Sequence, residues 1–572
     1  MYQQPQGPIP LVVGITGHRD LVEVDLPVLR ARIAELFDYL ATEFPGVPLK
    51  AISALAEGAD RLFANAALER GVPLVAVLPM PPDDYEQDFA AAESRQAFRR
   101  LLEQAEILEL AAPTGHGPSS TQAGREARYA AAGMFIASHC QVLVALWDGK
   151  QSDQRGGTAD IVAFRVTGYL PGFEADEIRP EDLLADNEND LVYHIACSRD
   201  RPDGQPIAGR VVGEIGWLTD DPNEPRTSDL PGHYRNIFRH IENFDLECAQ
   251  HADAIHREGR SLLENRPFPP AVQHVDELFC TADWLANLYQ KRVSRSLKTL
   301  YTLGFLMGSA FVLYSDLYPV RPALWAFLLL FGVGLYLHRR ADKGAWHRRY
   351  LDYRALAEGL RVQVYWSMAG LSSPGGGRFA HDVFLQKQDV ELSWIRHVMR
   401  TAAIKSDATS GEAPVRHPDG IEFASREWIG RQDTGQIGYY GNRTLQRSRR
   451  NALTQRLGLL ALWAGIALAL LLAVGGSYLP DAWHDALLFT IGALTLAAAV
   501  REAYAFRTAD RELVKQYRFM HKIFSNARRR LDAATSDAER RGVLRALGDA
   551  ALDEHTEWIL MHRERPPEHG KF

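Results

Sequence analysis

The second half of the chain alternates four long apolar segments with strongly charged segments. The first two apolar segments are slightly shorter than the ~20 residues that cross a bilayer core, and tyrosine and tryptophan lie at their edges, as is typical of membrane helices. This pattern predicts two transmembrane hairpins, at residues 298–338 and 456–501, and the alternative is a buried helical hairpin in a large soluble core. The apolar segments are residues 299–315, 323–337, 457–480 and 486–500.

Basic residues flank both hairpins. The segments KRVSRSLK and HRRADKGAWHRR enclose the first hairpin, while RSRRNALTQR precedes the second, and Arg501 and Arg507 follow it. The turn of the first hairpin contains one arginine and one aspartate. By the positive-inside rule, both ends of each hairpin, and therefore both termini of the chain, are expected in the cytoplasm. The first ten residues lack the pattern of a cleaved signal, so the first hairpin is expected to direct insertion.

The first half of the chain alternates short apolar runs with helical periodicity. Leu26, Leu29 and Ile33, for example, lie on one face of a predicted helix that follows the run LVVGI. Strands that alternate with helices favour a parallel sheet. Residues 1–215 are therefore predicted to form an α/β domain with a parallel sheet. Its predicted strands are LVVGI, LKAIS, PLVAVL, QVLVALW and LVYHIAC.

Three glycine-containing turns follow predicted strands: Thr16–Arg19, Ser53–Asp60 and Trp147–Asp160. Open α/β sheets bind ligands at the carboxyl ends of their strands, and the amides, cations and carboxylates of these turns suit a nucleotide-like ligand. The alternative is that the glycines only reverse the chain, and Gly157 is expected in a left-handed turn. The candidate ligand-binding residues are Thr16, Gly17, His18, Arg19, Ser53, Glu57, Gly58, Asp60, Trp147, Asp148, Gly156, Gly157, Thr158 and Asp160.

The segments around the predicted hairpins have helical periodicity. Apolar positions such as Val272, Val275 and Leu285 predict a helix over residues 271–296 that leads into the first hairpin as a stalk. The second half of the chain is therefore predicted to be an all-α membrane region with cytoplasmic helices. Its parts outside the hairpins are a helical linker and stalk at residues 216–297, a cytoplasmic helical region at 339–455 and a cytoplasmic helical tail at 502–572.

Composition disfavours several classes of partner and site. The net charge of -8 disfavours binding to nucleic acid. The mean hydropathy of -0.21 indicates that most of the 572 residues lie outside the membrane. The four cysteines show neither a CxxC spacing nor a metal-ligand pairing with histidine. We therefore predict no metal site and no cofactor.

Several motifs of the first half resemble the SLOG superfamily, a Rossmann-like, nucleotide-related group. They are ITGHRDL, SALAEGADRLFANAALERGVPLVAVLPMPPDDY, and ALWDG followed by GGTADIV, within roughly residues 10–215. The superfamily includes DNA-processing proteins of bacterial uptake and the cytokinin-activating phosphoribohydrolases. The resemblance implies a Rossmann-like fold and a nucleotide-derived ligand that lies over Gly17, Gly58, Gly157 and Thr158.

One departure from the family pattern bears on catalysis. The phosphoribohydrolases carry PGGxGTxxE with a catalytic glutamate, whereas residues 155–160 of this chain are RGGTAD, without the proline, one glycine and the glutamate. The resemblance therefore favours a sensor that does not turn its ligand over, with no catalytic residue. Asp160 and Glu57 remain candidates to assist a glycosidic cleavage.

Three features of the second half resemble a second family, the SLATT effectors. They are the paired hairpins and the segments YRALAEGLRVQVYW and EHTEWILMHRERP. These are two-helix membrane modules found beside SLOG domains or nucleotide synthetases in bacterial conflict systems. The resemblance implies a multi-pass protein of the bacterial inner membrane that assembles or opens during phage infection. Melastatin-type channels are similar in placing a SLOG-like region before a membrane pore.

We therefore expect a membrane effector that senses a nucleotide-derived signal, either ADP-ribose-like or a cyclic nucleotide. It would respond by oligomerising or opening a pore, as a ligand-gated ion channel of antiviral or stress defence. Four short apolar helices without an internal charge cannot line a wide polar channel as a monomer, so a homo-oligomer in a lipid bilayer is expected. The alternatives are a membrane-anchored nucleotide N-glycosidase and a membrane scaffold that recruits a partner.

Overall fold

The chain forms two compact units, each assembled from segments that are distant in sequence. The first unit contains Met1–Ala282, Ala355–Glu422 and Leu544–Thr556, and the second contains Asp283–Arg354, Phe423–Val543 and Glu557–Phe572. The fold comes from a computed structural model. It describes residues 7–113, 119–151, 156–168, 189–263, 268–317, 321–371, 380, 384, 392–409, 419–475, 479–508 and 510–563.

An eight-stranded mixed sheet forms the centre of the first unit, with the strand order β4-β3-β2-β1-β5-β6-β7-β8. The strands from β4 to β6 are parallel, and β7 and β8 are antiparallel to their neighbours. The strands are β1 (Leu11–Gly17), β2 (Leu49–Ser53), β3 (Leu74–Leu78), β4 (Ala105–Glu109), β5 (Val142–Trp147), β6 (Val192–Ala196), β7 (Ile215–Leu218) and β8 (Arg226–Thr227).

The parallel sheet that was expected is therefore present in part, as the six strands from β4 to β6 of a mixed sheet. The connection from β6 to β7, residues 197–214, contains turns and no helix. Parallel neighbours need a crossover, which is usually a helix, whereas a loop can return directly to an antiparallel neighbour. The sheet consequently gains two antiparallel strands at one side, β7 and β8.

Helices account for most of the remaining described chain. Short elements are the single α-helical turns Pro82–Tyr85 and Gly420–Phe423, the 3₁₀ turns Glu23–Asp25 and Glu86–Asp88, and the π-helical turns Leu313–Leu317 and Ala424–Ile429. The longer helices are α1 (Leu26–Glu43), α2 (Ala59–Glu69), α3 (Ala92–Leu102), α4 (Gln122–His139), α5 (Thr158–Thr167), α6 (Gly232–Glu258), α7 (Pro270–Val312), α8 (Arg321–Lys343), α9 (Trp346–Ala369), α10 (Ser393–Thr409), α11 (Gly435–Gly475), α12 (Asp481–Thr508), α13 (Asp510–Ala533) and α14 (Asp537–Arg563).

Both faces of the sheet are covered by helices, which explains why the central strands are buried apolar runs. Phe135 and Ile161 of α4 and α5 belong to the core on one face, together with Ile404 of α10. On helices α1 and α2, Phe37 and Phe63 pack with their ring centroids 5.4 Å apart. Helix α10 thus completes a core whose strands lie more than 200 residues earlier in the chain.

Gln141 makes a buried polar connection between α10 and the sheet. Its side-chain oxygen accepts a hydrogen bond from the amide of Val12 at 2.7 Å. Its side-chain nitrogen donates to the carbonyl oxygen of His397 at 3.2 Å and to Oγ1 of Thr401 at 2.9 Å. The side chain of Gln141 is fully buried. If it were removed, the Val12 amide and the other two groups would lose their hydrogen-bond partner, and water could not replace it.

We expect Gln141→Ala to lower the free energy of unfolding of the first unit by about 2–4 kcal/mol, because it leaves a buried strand amide unpaired. The measurement is thermal unfolding of the detergent-purified chain. The matched control is Gln104→Ala, which removes an exposed side chain whose amide nitrogen donates to the carbonyl oxygen of Arg100 at 2.9 Å. Equal melting temperatures for the two variants would contradict the structural role of Gln141.

The second unit contains most of the apolar helical surface. Four helices are long and apolar enough to cross a membrane. Large apolar side chains on them are exposed, including Trp325, Leu329, Leu460 and Leu470. Such surface fits a lipid environment better than water, so these helices suggest membrane association. The four helices are Pro270–Ser315, Arg321–Ala369, Gly435–Gly475 and Trp483–Ala533.

Helices α7 and α12 approach closely within the second unit. A Cβ atom added to Gly308 would lie 2.6 Å from Cδ2 of Leu496, and one added to Gly492 would lie 3.1 Å from Cγ1 of Val312. Tyr301 donates a hydrogen bond to the carbonyl oxygen of Ala503 at 3.3 Å. Glycine at these two positions therefore allows the helices to pack at short range.

Candidate functional site

A cavity of about 260 Å³ lies at the carboxyl end of β1. The strand order reverses between β1 and β5, because β2, β3 and β4 follow on one side and β6 on the other. Such a switch point separates the loops on either side and is the usual ligand site of an open α/β sheet. The cavity is lined by the turn after β1, the start of α2 and the start of α5, with α4 closing one side.

Two glycines lock the turn after β1 to the start of α2. A Cβ atom on Gly17 would lie 2.4 Å from that of Ala59. Gly58 has a φ of 74°, and a Cβ atom there would lie 2.4 Å from the carbonyl oxygen of Arg19. The amide of Ala59 donates to the carbonyl oxygen of His18 at 3.1 Å. These contacts require glycine for steric reasons and fix the floor of the cavity.

His18 connects the turn after β1 to the turn after β5. Its Nε2 lies 3.2 Å from the amide nitrogen and 3.2 Å from Oδ1 of Asp148. Burial, followed by the charge of Arg199, lowers the pKa of His18, although Asp148 acts in the opposite direction. The ring is therefore neutral near pH 7, so it holds two loops together rather than adding a positive charge.

Asp60 places a desolvated carboxyl group in the cavity wall. The residue is 7% exposed, and one carboxyl oxygen accepts a hydrogen bond from the amide of Ala56 at 3.3 Å. Burial raises the pKa of Asp60 to about 6, although the Ala56 amide and the charge of Arg19 oppose the shift. A carboxyl group that titrates near neutrality and lines a cavity is typical of binding and catalytic sites.

The start of α5 and the turn before it line the cavity. Gly156 has a φ of 72°, whereas Gly157 has a φ of -74° that any residue adopts. The left-handed turn expected at Gly157 therefore lies one residue earlier. A Cβ atom on Gly156 would lie 2.7 Å from that of Ala130, so the turn also packs closely on α4. Asp160 accepts a hydrogen bond from the Gly156 amide at 2.8 Å, which closes the turn.

The cavity brings together part of the predicted residue set. Predicted residues that line it are Thr16, Gly17, His18, Arg19, Asp60, Gly156, Gly157 and Thr158. The other predicted residues lie behind the wall or beside it, and they are Ser53, Glu57, Gly58, Trp147, Asp148 and Asp160. Several of these support the loops: Ser53 Oγ accepts from the Leu55 amide at 3.0 Å, and Trp147 Nε1 donates to the Lys150 carbonyl oxygen at 2.9 Å.

The sequence analysis did not assign four polar side chains that line the cavity: Asp20, Tyr85, Tyr129 and Arg199. Arg199 follows β6, which was predicted as the strand LVYHIAC, so its loop also lies at the carboxyl end of a strand. Its position after a predicted strand could therefore have assigned Arg199 to the site. Tyr129 lies within α4 and Tyr85 in a short helical turn, and no pattern in the sequence assigns either residue to a site.

Within the described ranges, no group of three or more histidine, cysteine, aspartate or glutamate side chains is arranged to hold a metal ion. The cysteines Cys140, Cys197, Cys248 and Cys280 are not joined in disulfide bonds. Burial raises the pKa of the Cys140 thiol, which disfavours the reactive thiolate. Comparison with protein-family models, curated proteins and solved structures found no match to this chain.

The raised pKa of Asp60 predicts a pH-dependent cost to stability. The folded-state pKa of Asp60, about 6, exceeds its ordinary value of 3.8. The stability that the protonated carboxyl group contributes is therefore fully present below pH 3.8 and is lost as the pH rises through about 6. The loss corresponds to roughly 3 kcal/mol. We expect Asp60→Asn to be more stable than the wild type at about pH 8 and similar at about pH 4.5.

Thermal unfolding of the purified chain at the two pH values measures this difference. The control is Asp83→Asn, which changes an exposed carboxyl group in the helical turn Pro82–Tyr85 of the same unit. A stability difference between Asp60→Asn and wild type that does not change with pH would show that Asp60 ionises as an ordinary carboxyl group.

Proposed function

We propose that this protein is a membrane effector whose cytoplasmic α/β unit binds a nucleotide-derived signal and thereby alters the membrane helices. The observation that carries the proposal is the combination, in one chain, of a cavity at a sheet switch point with four membrane-length helices. The cavity contains an exposed arginine, Arg19, and a buried carboxyl group, Asp60. Cations and helix amides suit phosphate, and a carboxyl group suits ribose hydroxyls.

The proposal includes a membrane topology and an assembly. The α/β unit is taken as a Rossmann-like domain of the SLOG type, and the apolar helices as two SLATT-like hairpins in a bacterial inner membrane. Both termini face the cytoplasm, because the basic segments lie at the ends of the hairpins. Since each subunit supplies few membrane helices, a pore requires a homo-oligomer. The biological role is antiviral or stress defence.

We propose that gating is a ligand-dependent shift between two conformational states of the protein. A ligand changes the balance only by the difference between its affinities for the two states, so its site must touch elements that move. Helix α7 runs without interruption from Pro270 to Val312, through the expected stalk and into the first apolar segment. We propose that α7 transmits the change. Leu285, midway along the stalk, is fully buried and is a suitable position to test it.

A second candidate function is cleavage of a nucleotide N-glycosidic bond. The observation that favours it is Asp60, because a carboxyl group with a pKa of about 6 is suited to general acid or base catalysis near neutral pH. The sensor remains the preferred proposal because the glutamate of the phosphoribohydrolase pattern is missing from the turn before α5. A scaffold that binds a partner protein would need neither the cavity nor its ligand.

Coupling is tested with Leu285→Pro in liposomes that hold a self-quenched dye. Proline removes a backbone donor and clashes with the preceding turn, at a cost of ~3 kcal/mol or more, so α7 should kink or break. With AMP, cyclic AMP, ADP-ribose or NAD, the wild type should leak dye in response to at least one compound. Leu285→Pro should bind that compound with unchanged affinity and should not leak.

The matched control is Leu285→Ala, which also removes buried apolar contacts but keeps the helix continuous, so it should retain ligand-dependent leakage. If the wild type leaks equally with and without every compound, gating is wrong. If free base accumulates during the incubation instead, the anchored N-glycosidase becomes the better proposal. If none of the compounds binds and no free base is formed, the membrane scaffold becomes the better proposal.

The topology is tested with reporters of cytoplasmic and periplasmic location. Fusions at Met1 and after Phe572 should report the cytoplasm, while tags at Val320 and Trp483 should report the opposite side, because the basic segments hold the hairpin ends inside. Fusions that keep the full membrane region and differ only in the tag position provide the comparison. A periplasmic Phe572 would contradict the arrangement of four spans.

A further inference from the structure

Arg199 is held in the cavity wall with most of its hydrogen-bonding capacity unused. Its Nε donates to both carboxylate oxygens of Asp20, at 2.9 and 3.1 Å. The backbone is fixed as well, because the amide of Asp200 donates to the carbonyl oxygen of Asp20 at 2.7 Å. Among the described residues, neither terminal nitrogen of Arg199 forms a hydrogen bond. An arginine fixed through Nε presents its two terminal amino groups to a ligand.

Arg19 lines the same cavity and is also held without a hydrogen bond. Its guanidinium group lies 5.2 Å from the centre of the Tyr129 ring, within the range of a cation–π contact. The hydroxyl of Tyr129 donates to Asp88, and Asp88 in turn binds Arg125 at 2.6 Å. Tyr129 is therefore a fixed platform. All the N–H groups of Arg19 remain without a partner in the described part of the chain.

We propose that Arg19 and Arg199 together bind a terminal phosphate group of the ligand, with Asp20 and Tyr129 as positioning residues. This inference rests on the proposed ligand-binding function of the cavity. A phosphate monoester offers three terminal oxygens and a charge near -2, which two guanidinium groups can match, whereas one guanidinium group already satisfies a carboxylate. Gly157 and Thr158 at the start of α5 line the cavity too, and a helix N-terminus favours the same charge.

The charged groups of the cavity wall are two arginines, Arg19 and Arg199, and two carboxyl groups, Asp20 and Asp60. Asp20 neutralises Arg199 but occupies only its Nε, so the terminal nitrogens still donate. His18 is neutral because burial and Arg199 lower its pKa. Asp60 is the remaining carboxyl group in the wall. Since it titrates near neutral pH, a phosphate beside it would favour its protonated form, and as a neutral or ionised group it can bind a sugar hydroxyl.

The size of the cavity narrows the ligand further. Its volume of about 260 Å³ lies just below the roughly 300–1,000 Å³ of typical small-molecule sites. A single nucleotide or sugar phosphate therefore suits it better than a dinucleotide. Within the nucleotide-derived class, a compound with a free phosphate monoester therefore fits better than a cyclic nucleotide, whose phosphate is a diester. It also fits better than an ADP-ribose-like compound, whose two phosphates are joined in a diphosphate.

The test is isothermal titration of the full chain in nanodiscs with AMP, 3′,5′-cyclic AMP, ADP-ribose, adenosine and inorganic phosphate. AMP should bind at least about tenfold more tightly than the other nucleosides and nucleotides, and inorganic phosphate should compete with it. Arg199→Gln should weaken AMP binding roughly 10- to 100-fold, because it removes charge-assisted hydrogen bonds. Added salt should weaken AMP binding more in the wild type than in this variant.

The matched control is Arg201→Gln, which removes the same charge two residues away. Arg201 is 44% exposed and does not line the cavity, so its loss should change AMP affinity less than about twofold. For the positioning residue Tyr129, the Tyr129→Leu variant should bind AMP more weakly than the wild type. Tyr129→Phe should retain AMP binding, because it keeps the aromatic ring that contacts Arg19. Melting temperatures identify any variant that fails to fold, and Arg199→Lys, which keeps the charge, should lose less affinity than Arg199→Gln.

Two different failures can be distinguished. If AMP, cyclic AMP or ADP-ribose binds the wild type but Arg199→Gln and Arg201→Gln behave alike, the phosphate site is wrong and the proposed ligand-binding function stands. The same conclusion follows if adenosine binds as tightly as AMP. If none of the five compounds binds the wild type, both the phosphate site and the proposed function are overturned.

Discussion

The close approach of Gly17 and Gly58 to their neighbours is the constraint on which the cavity depends. Any side chain at Gly17 would collide with Ala59, and one at Gly58 would collide with the carbonyl oxygen of Arg19. Together they hold the turn after β1 against the start of α2, so Arg19 and Asp60 face one cavity. The glycines act as spacers for the site, and the ligand-binding chemistry belongs to the side chains that they position.

Stability and binding oppose each other at this site. The buried carboxyl group of Asp60 adds little to the stability of the empty protein, and its ionised form costs stability. Among the described residues, the guanidinium group of Arg19 forms no hydrogen bond, and that of Arg199 is paired only through its Nε, with Asp20. Such groups are typical of sites whose partner is a ligand rather than another part of the fold. Gln141 shows the contrary case, because every polar group of that buried side chain is satisfied within the protein.

Local patterns were sufficient to predict most strands, because a buried parallel strand is a short apolar run bounded by turns. The edge strand β4 was missed, since its side chains are mostly exposed. Arg199 and the docking of α10 depend on strand order and on contacts between distant segments, which no local pattern contains. The same limit applies to the site residues. The turn after β1 was predicted from the sequence, whereas Tyr129 lies inside a helix, and its place in the cavity is visible only in the three-dimensional structure.

We propose that a phosphate-bearing ligand in the cavity changes α7, the helix that runs into the first apolar segment. Hydrogen exchange of the full chain in nanodiscs, with and without saturating AMP, tests it most directly because exchange reports local opening of each segment. We expect slower exchange in residues 16–20 and 197–204 together with a change in residues 283–312 of α7. Protection confined to the cavity loops, with exchange in α7 unaltered, would contradict it.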